Sequence, residues 1–232
     1  MFKNTLFIIP ARGGSKGVPK KNIKLFLGKP LIHYSIEYAR LFVPDSNICV
    51  STDDDKIITC VKEIGLDVPF IRPDNLATDT SDTFSVLKHA LKHYFVNENR
   101  QFEAVVLLQP TSPIRERKHL EEAIQLWHKE TEMVVSVCET ESSPYFTLFE
   151  EDKNGFLKIC MGDGSFTRRQ DTPTIYEYNG SIYVINASIL EEKDAFKEIT
   201  KRVKYVMDSY YSIDIDTIDD WDYAEYKYAK DK

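Results

Sequence analysis

The sequence predicts a three-layer αβα fold built on a mainly parallel, Rossmann-like sheet. Two observations predict it: short runs of Val, Ile and Leu that are apolar on both faces, and amphipathic stretches that alternate with them. This alternation is typical of units in which a helix crosses over a sheet that is buried on both sides. With 232 residues, 42% of them hydrophobic, the chain can bury the core of one such domain.

The positions of the individual elements follow from these runs. Amphipathic spacing, as at Phe84, Leu87, Leu91 and Tyr94, predicts helices between the strands. The strands are expected at residues 6–9, 48–51, 104–108 and 133–137.

The regular alternation stops near residue 139. Glycines and short strand-like pieces follow to about residue 173, before a strand at 178–185 and a helix at 218–229. The simplest division is one domain, residues 1–232, with an inserted hairpin or arm at approximately 139–173.

Charge is distributed unevenly along the chain. The net charge is −7, yet residues 1–36 carry seven Lys or Arg and no Asp or Glu. The remaining residues hold 23 basic against 37 acidic side chains. A basic segment on an acidic protein favours a small phosphorylated ligand over nucleic acid, which usually needs a larger basic surface.

The four cysteines have neither the spacing of a metal site nor that of a secreted disulfide framework. Cys49, Cys60 and Cys138 lie in apolar runs, where a buried structural thiol is expected. The apolar start of the chain is too short for a signal peptide or a membrane span. We therefore expect a cytoplasmic protein without a membrane partner.

A basic loop follows the first predicted strand. Residues 10–22 read PARGGSKGVPKKN and stand at the carboxyl end of a strand, where open α/β sheets bind ligands. The glycines allow backbone N–H groups to approach an anion, and Arg12, Lys16 and Lys21 can balance phosphate charge. The loop has neither the Walker A nor the GxGxxG pattern, so glycines and lysines alone fit a solvated basic loop equally well.

The complete loop resembles the signature of the acylneuraminate cytidylyltransferases, the enzymes that make CMP-sialic acids. The resemblance extends over about residues 5–228, with five motifs in the family order. It implies a nucleotidyltransferase sheet, a loop that binds the triphosphate of CTP, and an inserted arm that forms a homodimer. The implied CTP contacts are Arg12, Gly13, Gly14, Ser15, Lys16, Lys21, Asn22, Arg72 and Ser81.

Acidic residues follow the second predicted strand. Asp53 to Asp55 have the composition of a metal cluster, but a cap on the helix that begins near Lys56, made by Thr52 or Asp53, explains them more simply. We therefore expect no metal role there.

The RPDNLATDTS segment at residues 72–81, taken alone, is a proline-fixed turn and helix cap with a surface arginine. Reading cytosine needs donors for O2 and N3 and an acceptor for the amino group, which an arginine fork and loop backbone can supply. The resemblance assigns this contact to Arg72 and the backbone near Ser81.

Two further motifs are assigned to the sugar acid by resemblance. Gln109 is a polar residue at the point where a buried strand meets the crevice. For Arg115, the sequence leaves two roles open, a salt bridge and a ligand contact. Paired arginines at 168 and 169 can clamp a carboxylate, although a surface pair is the simpler alternative. The implied sugar-acid contacts are Gln109, Arg169, Gln170, Tyr176, Asn179 and Gly180.

Asp214 and Asp216 alternate in a predicted strand at residues 212–217, which places both carboxylates on one face. Two like charges so close are costly without a cation, and carboxylates plus phosphate suit Mg²⁺. The alternative is that Asp216 caps the helix that begins near Ile218. The resemblance assigns both residues to Mg²⁺.

The implied reaction is the transfer of CMP from CTP to a nine-carbon 2-keto sugar acid, such as N-acetylneuraminate or a legionaminate-like acid, with release of pyrophosphate. We expect Lys21 and Arg12 to stabilise phosphate charge and Asp216 to be a candidate base, and we expect no histidine base. The alternatives are a pseudaminate or other 2-keto-3-deoxy sugar acid, and a catalytically inactive nucleotide-binding regulatory module.

Overall fold

The computed structural model describes residues 4–230; residues 1–3 and 231–232, at the two ends of the predicted domain, lie outside it. The strands are β1 Thr5–Pro10, β2 Leu25–Phe26, β3 Lys29–Pro30, β4 Ile48–Ser51, β5 Ala104–Leu107, β6 Met133–Glu139, β7 Phe149–Glu151, β8 Leu157–Ile159, β9 Tyr176–Asn186 and β10 Arg202–Val206. The α-helices are α1 Leu31–Arg40, α2 Asp55–Glu63, α3 Thr83–Glu98, α4 Arg117–Gln125, α5 Ala187–Glu192 and α6 Ile218–Ala229.

The central sheet has the order β10-β6-β9-β5-β1-β4. Strand β9 runs antiparallel to β5 and β6, while the β1–β4, β1–β5 and β6–β10 pairs are parallel. The predicted mainly parallel sheet is therefore confirmed, with one antiparallel strand in its interior.

Helices cover both faces of the sheet. Phe7 and Ile9 of β1 pack with residues of α1, α2 and α4, whereas Leu6 and Ile8 pack with residues of α3 and α5. Successive residues of a strand point to opposite faces, so β1 is buried on both sides, as its continuous apolar run predicts. The predicted three-layer arrangement is confirmed.

The segment after Tyr211 differs from its prediction. Residues 212–217 form no strand; their backbone is held to the sheet region by the Ile215 N–H, which donates to Thr111 O at 2.9 Å. The apolar–polar alternation still acts, since Ile215 is fully buried while Asp214 and Asp216 are exposed. The alternation therefore predicted correctly which side chains are buried and which exposed, but it predicted a strand that does not form.

The segment between β6 and β9 leaves the central sheet. Its strands β7 and β8 pair only with each other, as an antiparallel hairpin. Large apolar side chains of this hairpin and its flanks are exposed: Leu148, Phe149, Phe156, Leu157 and Met161. We call residues 139–173 the arm.

The cysteine prediction is confirmed, because Cys49, Cys60 and Cys138 are buried free thiols, while Cys160 is free and exposed. Across residues 4–230, each helix is too short or too polar to cross a lipid bilayer.

Parallel strands bring their following loops to one edge of the sheet, which we call the carboxyl edge. The loops after β1, β4 and β5 meet there. Because β9 runs antiparallel, its first residues, not its last, reach the same edge beside the end of β6.

Candidate active site

A cleft of about 430 Å³ opens at the carboxyl edge. It brings together most of the residues assigned to CTP, with Gln109 and Asp216 beside them. Its lining residues are Pro10, Arg12, Ser15, Lys16, Gly17, Lys21, Asn22, Arg72, Leu76, Thr78, Ser81, Thr83, Val86, Gln109, Pro110, Thr111 and Asp216. Gly13 and Gly14 belong to the same loop but lie outside this lining set.

Hydrogen bonds within the loop after β1, and from this loop to the loop after β4, hold its backbone in place. Asn22 Nδ2 donates to Arg12 O at 3.0 Å, and Gly13 N donates to Asp53 Oδ1 at 3.1 Å. A Cβ at Gly13 would lie 2.5 Å from Asp54 Oδ2, so a glycine is required for this approach. Asn22 therefore holds the two ends of the loop together, and Gly13 attaches the loop to the segment after β4.

The helix cap after β4 corrects the sequence prediction. Asp54, and not Thr52 or Asp53, is the N-cap of α2, accepting from Lys56 N at 2.7 Å and from Ile57 N at 3.2 Å. The helix begins one residue earlier than expected, and Asp53 instead accepts from the backbone of the loop after β1, at Gly13 N.

Gly17 allows the loop to touch the segment that carries the two aspartates. A Cβ at this position would lie 2.0 Å from Asp216 O, which no side chain can accept without movement of one backbone. Lys21 spans the same junction: its Nζ donates to Ile215 O at 2.7 Å and pairs with Asp216 Oδ1 at 2.9 Å.

The other two cations of the loop share one carboxylate. Arg12 Nη1 lies 2.5 Å from Asp79 Oδ1, and Lys16 pairs with Asp79 Oδ2. Hydrogen bonds from Lys16 and Arg12 hold the pKa of Asp79 below its usual value. Asp79 therefore takes, in this structure, the position of an anion between the two cations.

Asp214 and Asp216 flank the buried Ile215, and both are exposed. Crowding by surrounding protein removes water from Asp214 and raises the pKa of its carboxyl, and the negative charge of Asp216 raises it further. The α6 N-cap is Thr217, which forms a capping box with Asp220, so Asp216 is not needed as a cap.

This aspartate pair fits a Mg²⁺ ion. Within residues 4–230 no cluster of three or more His, Cys, Asp or Glu is present that would cage a metal. Mg²⁺ commonly uses one or two carboxylates plus substrate phosphates and water. Burial and the neighbouring Asp216 make the negative charge of Asp214 unfavourable, and the Lys21 ammonium already pairs with Asp216. A cation bound beside Asp214 would stabilise this charge.

Arg72 is 4% exposed and is not a surface arginine. Its Nε donates to Ser51 Oγ at 3.0 Å and its Nη2 to Ser51 O, and burial lowers its pKa. Ser81 Oγ donates to Asn75 O at 3.1 Å, which folds the loop after Arg72 into a wall of the cleft.

Gln109, Gly180 and Asp214 meet at one point. Gly180 has a φ of +69°, and a Cβ there would lie 2.8 Å from Gln109 Oε1 and 3.2 Å from Asp214 Oδ2. Asn179, by contrast, is 2% exposed and turns its amide into the protein. Tyr176 is the first residue of β9, and the Lys204 ammonium lies 4.4 Å from its ring centroid.

Arg115 is a structural tie within the described chain. Its guanidinium donates to Gln109 O at 2.6 Å, to Ser181 O at 3.0 Å and to Ser35 Oγ at 3.2 Å. Burial lowers the pKa of Arg115 to about 10, partly opposed by Tyr38 and Asp214. The guanidinium thereby ties the β5 turn that carries Gln109 to the middle of β9.

Arg169 and Gln170 lie apart from this cleft. They line a second cavity of about 460 Å³ at the base of the arm, where Arg169 pairs with Glu141 at 3.5 Å. Within one chain the structure therefore does not bring these two residues together with Gln109.

Several cleft residues were not predicted from the sequence: Leu76, Thr78, Thr83, Val86 and Thr111. Small polar and aliphatic side chains carry no chemical signature. Their position beside the Arg72 and Gln109 motifs is the only signal that could have identified them.

The fold is shared with a solved structure. The structure of CMP:2-keto-3-deoxy-manno-octonic acid synthetase complexed with CTP superposes with a TM-score of 0.70 at 16% identity, over 99% of this chain and 100% of that one. At this identity the likeness defines the fold of the protein and not its reaction.

The sequence comparisons are narrower. A family model described as "Cytidylyltransferase" matches residues 6–230, and the chain belongs to the cytidylyltransferase family. It is 37% identical over 222 residues to the CMP-N,N'-diacetyllegionaminic acid synthase of Legionella pneumophila, covering 95% of this chain and 94% of that protein. It is 36% identical over 218 residues to the N-acylneuraminate cytidylyltransferase of Streptococcus agalactiae serotype III, covering 92% of this chain but only 51% of that longer protein.

Proposed function

We propose that this protein transfers CMP from CTP to a nine-carbon 2-keto sugar acid of the sialic acid type, N-acetylneuraminate or legionaminate-like, and releases pyrophosphate. The observation that carries the proposal is the junction of the basic loop with the aspartate segment, where Lys21 touches Ile215 and Asp216. The likeness to the legionaminic acid synthase over nearly the full length of both chains supports the sugar class.

In this proposal the anomeric hydroxyl of the sugar acid attacks the α-phosphorus of CTP. A P–O bond to the sugar forms, the bond to pyrophosphate breaks, and the hydroxyl loses its proton. Lys21 stabilises charge on the α-phosphoryl group, while Arg12 and Lys16 exchange Asp79 for the β and γ phosphates. Asp216 is the candidate base for the hydroxyl proton.

Asp214 and Asp216 would hold the Mg²⁺ ion. When bound, the ion supplies positive charge to the phosphate oxygens and lowers the pKa of a hydroxyl bound to it. The protein prepares the site by exposing both carboxylates on a segment that Ile215 anchors in the core.

The cytosine ring is assigned to the wall made by Arg72 and the loop that ends at Ser81. A guanidinium held by Ser51 is pre-oriented, so little rotational entropy is lost when it donates to a base. The sugar acid is assigned to the adjacent side of the cleft, at Gln109 and Gly180.

We also propose a cytoplasmic homodimer joined through the arm. The exposed apolar side chains of the arm support this assembly, because several of them occur together on one short hairpin and its flanks, and grouped exposed apolar side chains mark interaction sites. The separation of Arg169 and Gln170 from the cleft of their own chain supports it as well. In the dimer, these two residues would clamp a sugar carboxylate at the partner's cleft.

The test is pyrophosphate release from CTP with N-acetylneuraminate, legionaminate, pseudaminate and ketodeoxyoctonate side by side. We expect turnover with one of the first two acids and loss of it in Lys21→Ala and Asp216→Ala. Preference for pseudaminate or ketodeoxyoctonate would change the sugar class. CTP binding without turnover on any acid would indicate the regulatory module instead.

A further inference from the structure

A buried hydrogen-bond chain runs behind the point where Gln109, Gly180 and Asp214 meet. Its centre is the Asn179 amide. Asn179 Oδ1 accepts from Ser136 Oγ at 2.6 Å and from Ser181 N at 3.2 Å, and its Nδ2 donates to Ser212 Oγ at 3.0 Å. We call Ser136, Asn179 and Ser212 the serine–asparagine relay.

The backbone fixes the direction of every bond in the relay. Ser136 Oγ accepts from Ile182 N at 2.7 Å, so its proton is left for Asn179 Oδ1. Ser212 Oγ donates to Asp208 O at 3.0 Å, so its lone pair is left for Asn179 Nδ2. Because backbone groups cannot exchange donor and acceptor roles, the Asn179 amide has one orientation that satisfies all its partners.

The relay connects three segments that border the active cleft. Ser136 lies where the register between β6 and β9 shifts, and Asn179 precedes the left-handed Gly180. Ser212 stands two residues before Asp214 in a segment without strand pairing. Ser112 of the Gln109 turn joins as well, since its Oγ donates to Asn179 O at 2.9 Å.

We propose that Ser136 and Ser212 are positioning residues, which act through Asn179 to hold the Asp214 carboxylate opposite Gln109 and Gly180. The inference rests on the proposed function, because it assigns these serines to the metal and sugar side of the same site. Neither serine touches the cleft lining.

The expected effect follows from what holds the aspartate segment. Apart from the relay, the segment is held by the Ile215 N–H to Thr111 O bond, by a hydrogen bond between Thr111 and Asp214, and by Lys21 at its far end. Loss of the Ser212 hydroxyl leaves Asn179 Nδ2 and Asp208 O without this partner and removes one of the ties that position Asp214. Residues that orient metal ligands commonly change metal affinity by about 10–100-fold when they are removed.

The experiment compares Ser212→Ala and Ser136→Ala with Thr131→Val. Thr131 is 2% exposed, and its hydroxyl accepts from His128 N at 3.1 Å beside the opposite end of β6. The control therefore also removes one buried hydroxyl, but far from the relay. Each protein is titrated with Mg²⁺, and both pyrophosphate release and the Mg²⁺-induced rise in Tm at fixed CTP are recorded.

We expect both serine variants to need about tenfold more Mg²⁺ in both measurements, with less than a twofold change in the KM for CTP. Thr131→Val should lose a similar amount of Tm without a change in its Mg²⁺ requirement. Ser212→Thr, which keeps the hydroxyl, should recover the wild-type requirement.

Equal Mg²⁺ requirements in the serine variants and Thr131→Val would overturn the proposal and leave the relay a purely structural feature. If the wild-type protein turns over none of the sugar acids, the proposed function fails, and the Tm titration still judges the relay by itself. Absence of any Mg²⁺-induced rise in the wild type overturns the relay proposal too.

Discussion

Two carboxylates, Glu132 and Asp214, lie at opposite ends of the strands of the central sheet, and their surroundings shift the pKa in opposite directions. At the edge where β6 begins, Glu132 accepts from Lys193 Nζ at 2.7 Å and from Thr200 N at 2.7 Å and Lys201 N at 3.1 Å. These bonds, that of Lys193 first, lower the pKa of Glu132 to about 2. At the carboxyl edge, crowding and Asp216 raise the pKa of Asp214.

The difference separates two uses of a charged group. Glu132 has its donors built into the chain, so its ionised form stabilises the fold. At Asp214, burial outweighs the hydrogen bond from Thr111 and the charge of Lys21, so the ionised form costs stability and remains available to an added cation. Neutralising each carboxylate should therefore have opposite consequences for stability and for activity.

The largest effect is expected for Asp214→Asn. Loss of one of the two carboxylates proposed to hold Mg²⁺ should lower the rate of pyrophosphate release by about 10²–10³-fold, the usual cost of removing a group that stabilises developing charge. Because the folded-state pKa is raised, the ionised carboxylate opposes folding above its ordinary pKa of 3.8. The Tm at pH 7 should therefore stay equal or increase.

Asp222→Asn, an exposed carboxylate on α6, is the matched control and should change neither quantity. A fall in the Tm of Asp214→Asn would contradict the contrast, because it would show that Asp214 contributes to stability as Glu132 does.

Gly17→Ala tests whether the carboxyl edge depends on close backbone contact. The new methyl group would lie 2.0 Å from Asp216 O, so the loop and the aspartate segment must separate. Lys21 and Asp216 would then lose their common geometry, and we expect kcat to fall about tenfold or more. Full activity would show that the two segments move independently. Circular dichroism and Tm would establish that the fold is retained.

Glu132→Gln should act on stability alone. The folded-state pKa of about 2 lies below the ordinary 4.5, so this stabilisation is fully present above pH 4.5 and is lost as the pH falls toward 2. At pH 7 we expect a loss of about 1–2 kcal/mol, reduced from the full linkage value because the pair is partly solvated. Kinetic constants should not change.

Urea unfolding at several pH values measures this effect. The difference between wild type and Glu132→Gln should narrow as the pH decreases below 4.5. Glu130→Gln is the control, since Glu130 makes only an exposed pair with Lys201 at 3.3 Å. A pH-independent difference would assign the loss to packing instead of charge.

The same contrast explains what the sequence could predict. Buried strands such as β4 have a continuous apolar signal, and the helix at Ile218–Ala229 was predicted with its observed bounds. Strand β10 was missed because Arg202 and Lys204 make it a polar edge strand. At the site, the charged motifs predicted which loops line the cleft. The sequence could not predict that Arg12 bonds to Asp79 and Asn179 to Ser212, because these partners are 67 and 33 positions away along the chain and only tertiary packing brings them together.

The smallest effect is expected for Asp79→Asn, on the other acidic residue of the cleft. Asp79 is an exposed carboxylate that pairs with Arg12 and Lys16. In the proposed function, CTP displaces Asp79 before its phosphates reach both cations. Exposed pairs are weak and screened by salt, so the variant should lower the KM for CTP only about threefold in low salt, and less at 0.5 M salt. Asp74→Asn, an exposed carboxylate on the same loop, should leave the KM unchanged. An increased KM for Asp79→Asn would mean that this carboxylate orients the two cations for the triphosphate. Asp79 would then act as Glu132 does, as a carboxylate that has to stay paired, and the contrast between the two ends of the sheet would not hold for every carboxylate of the cleft.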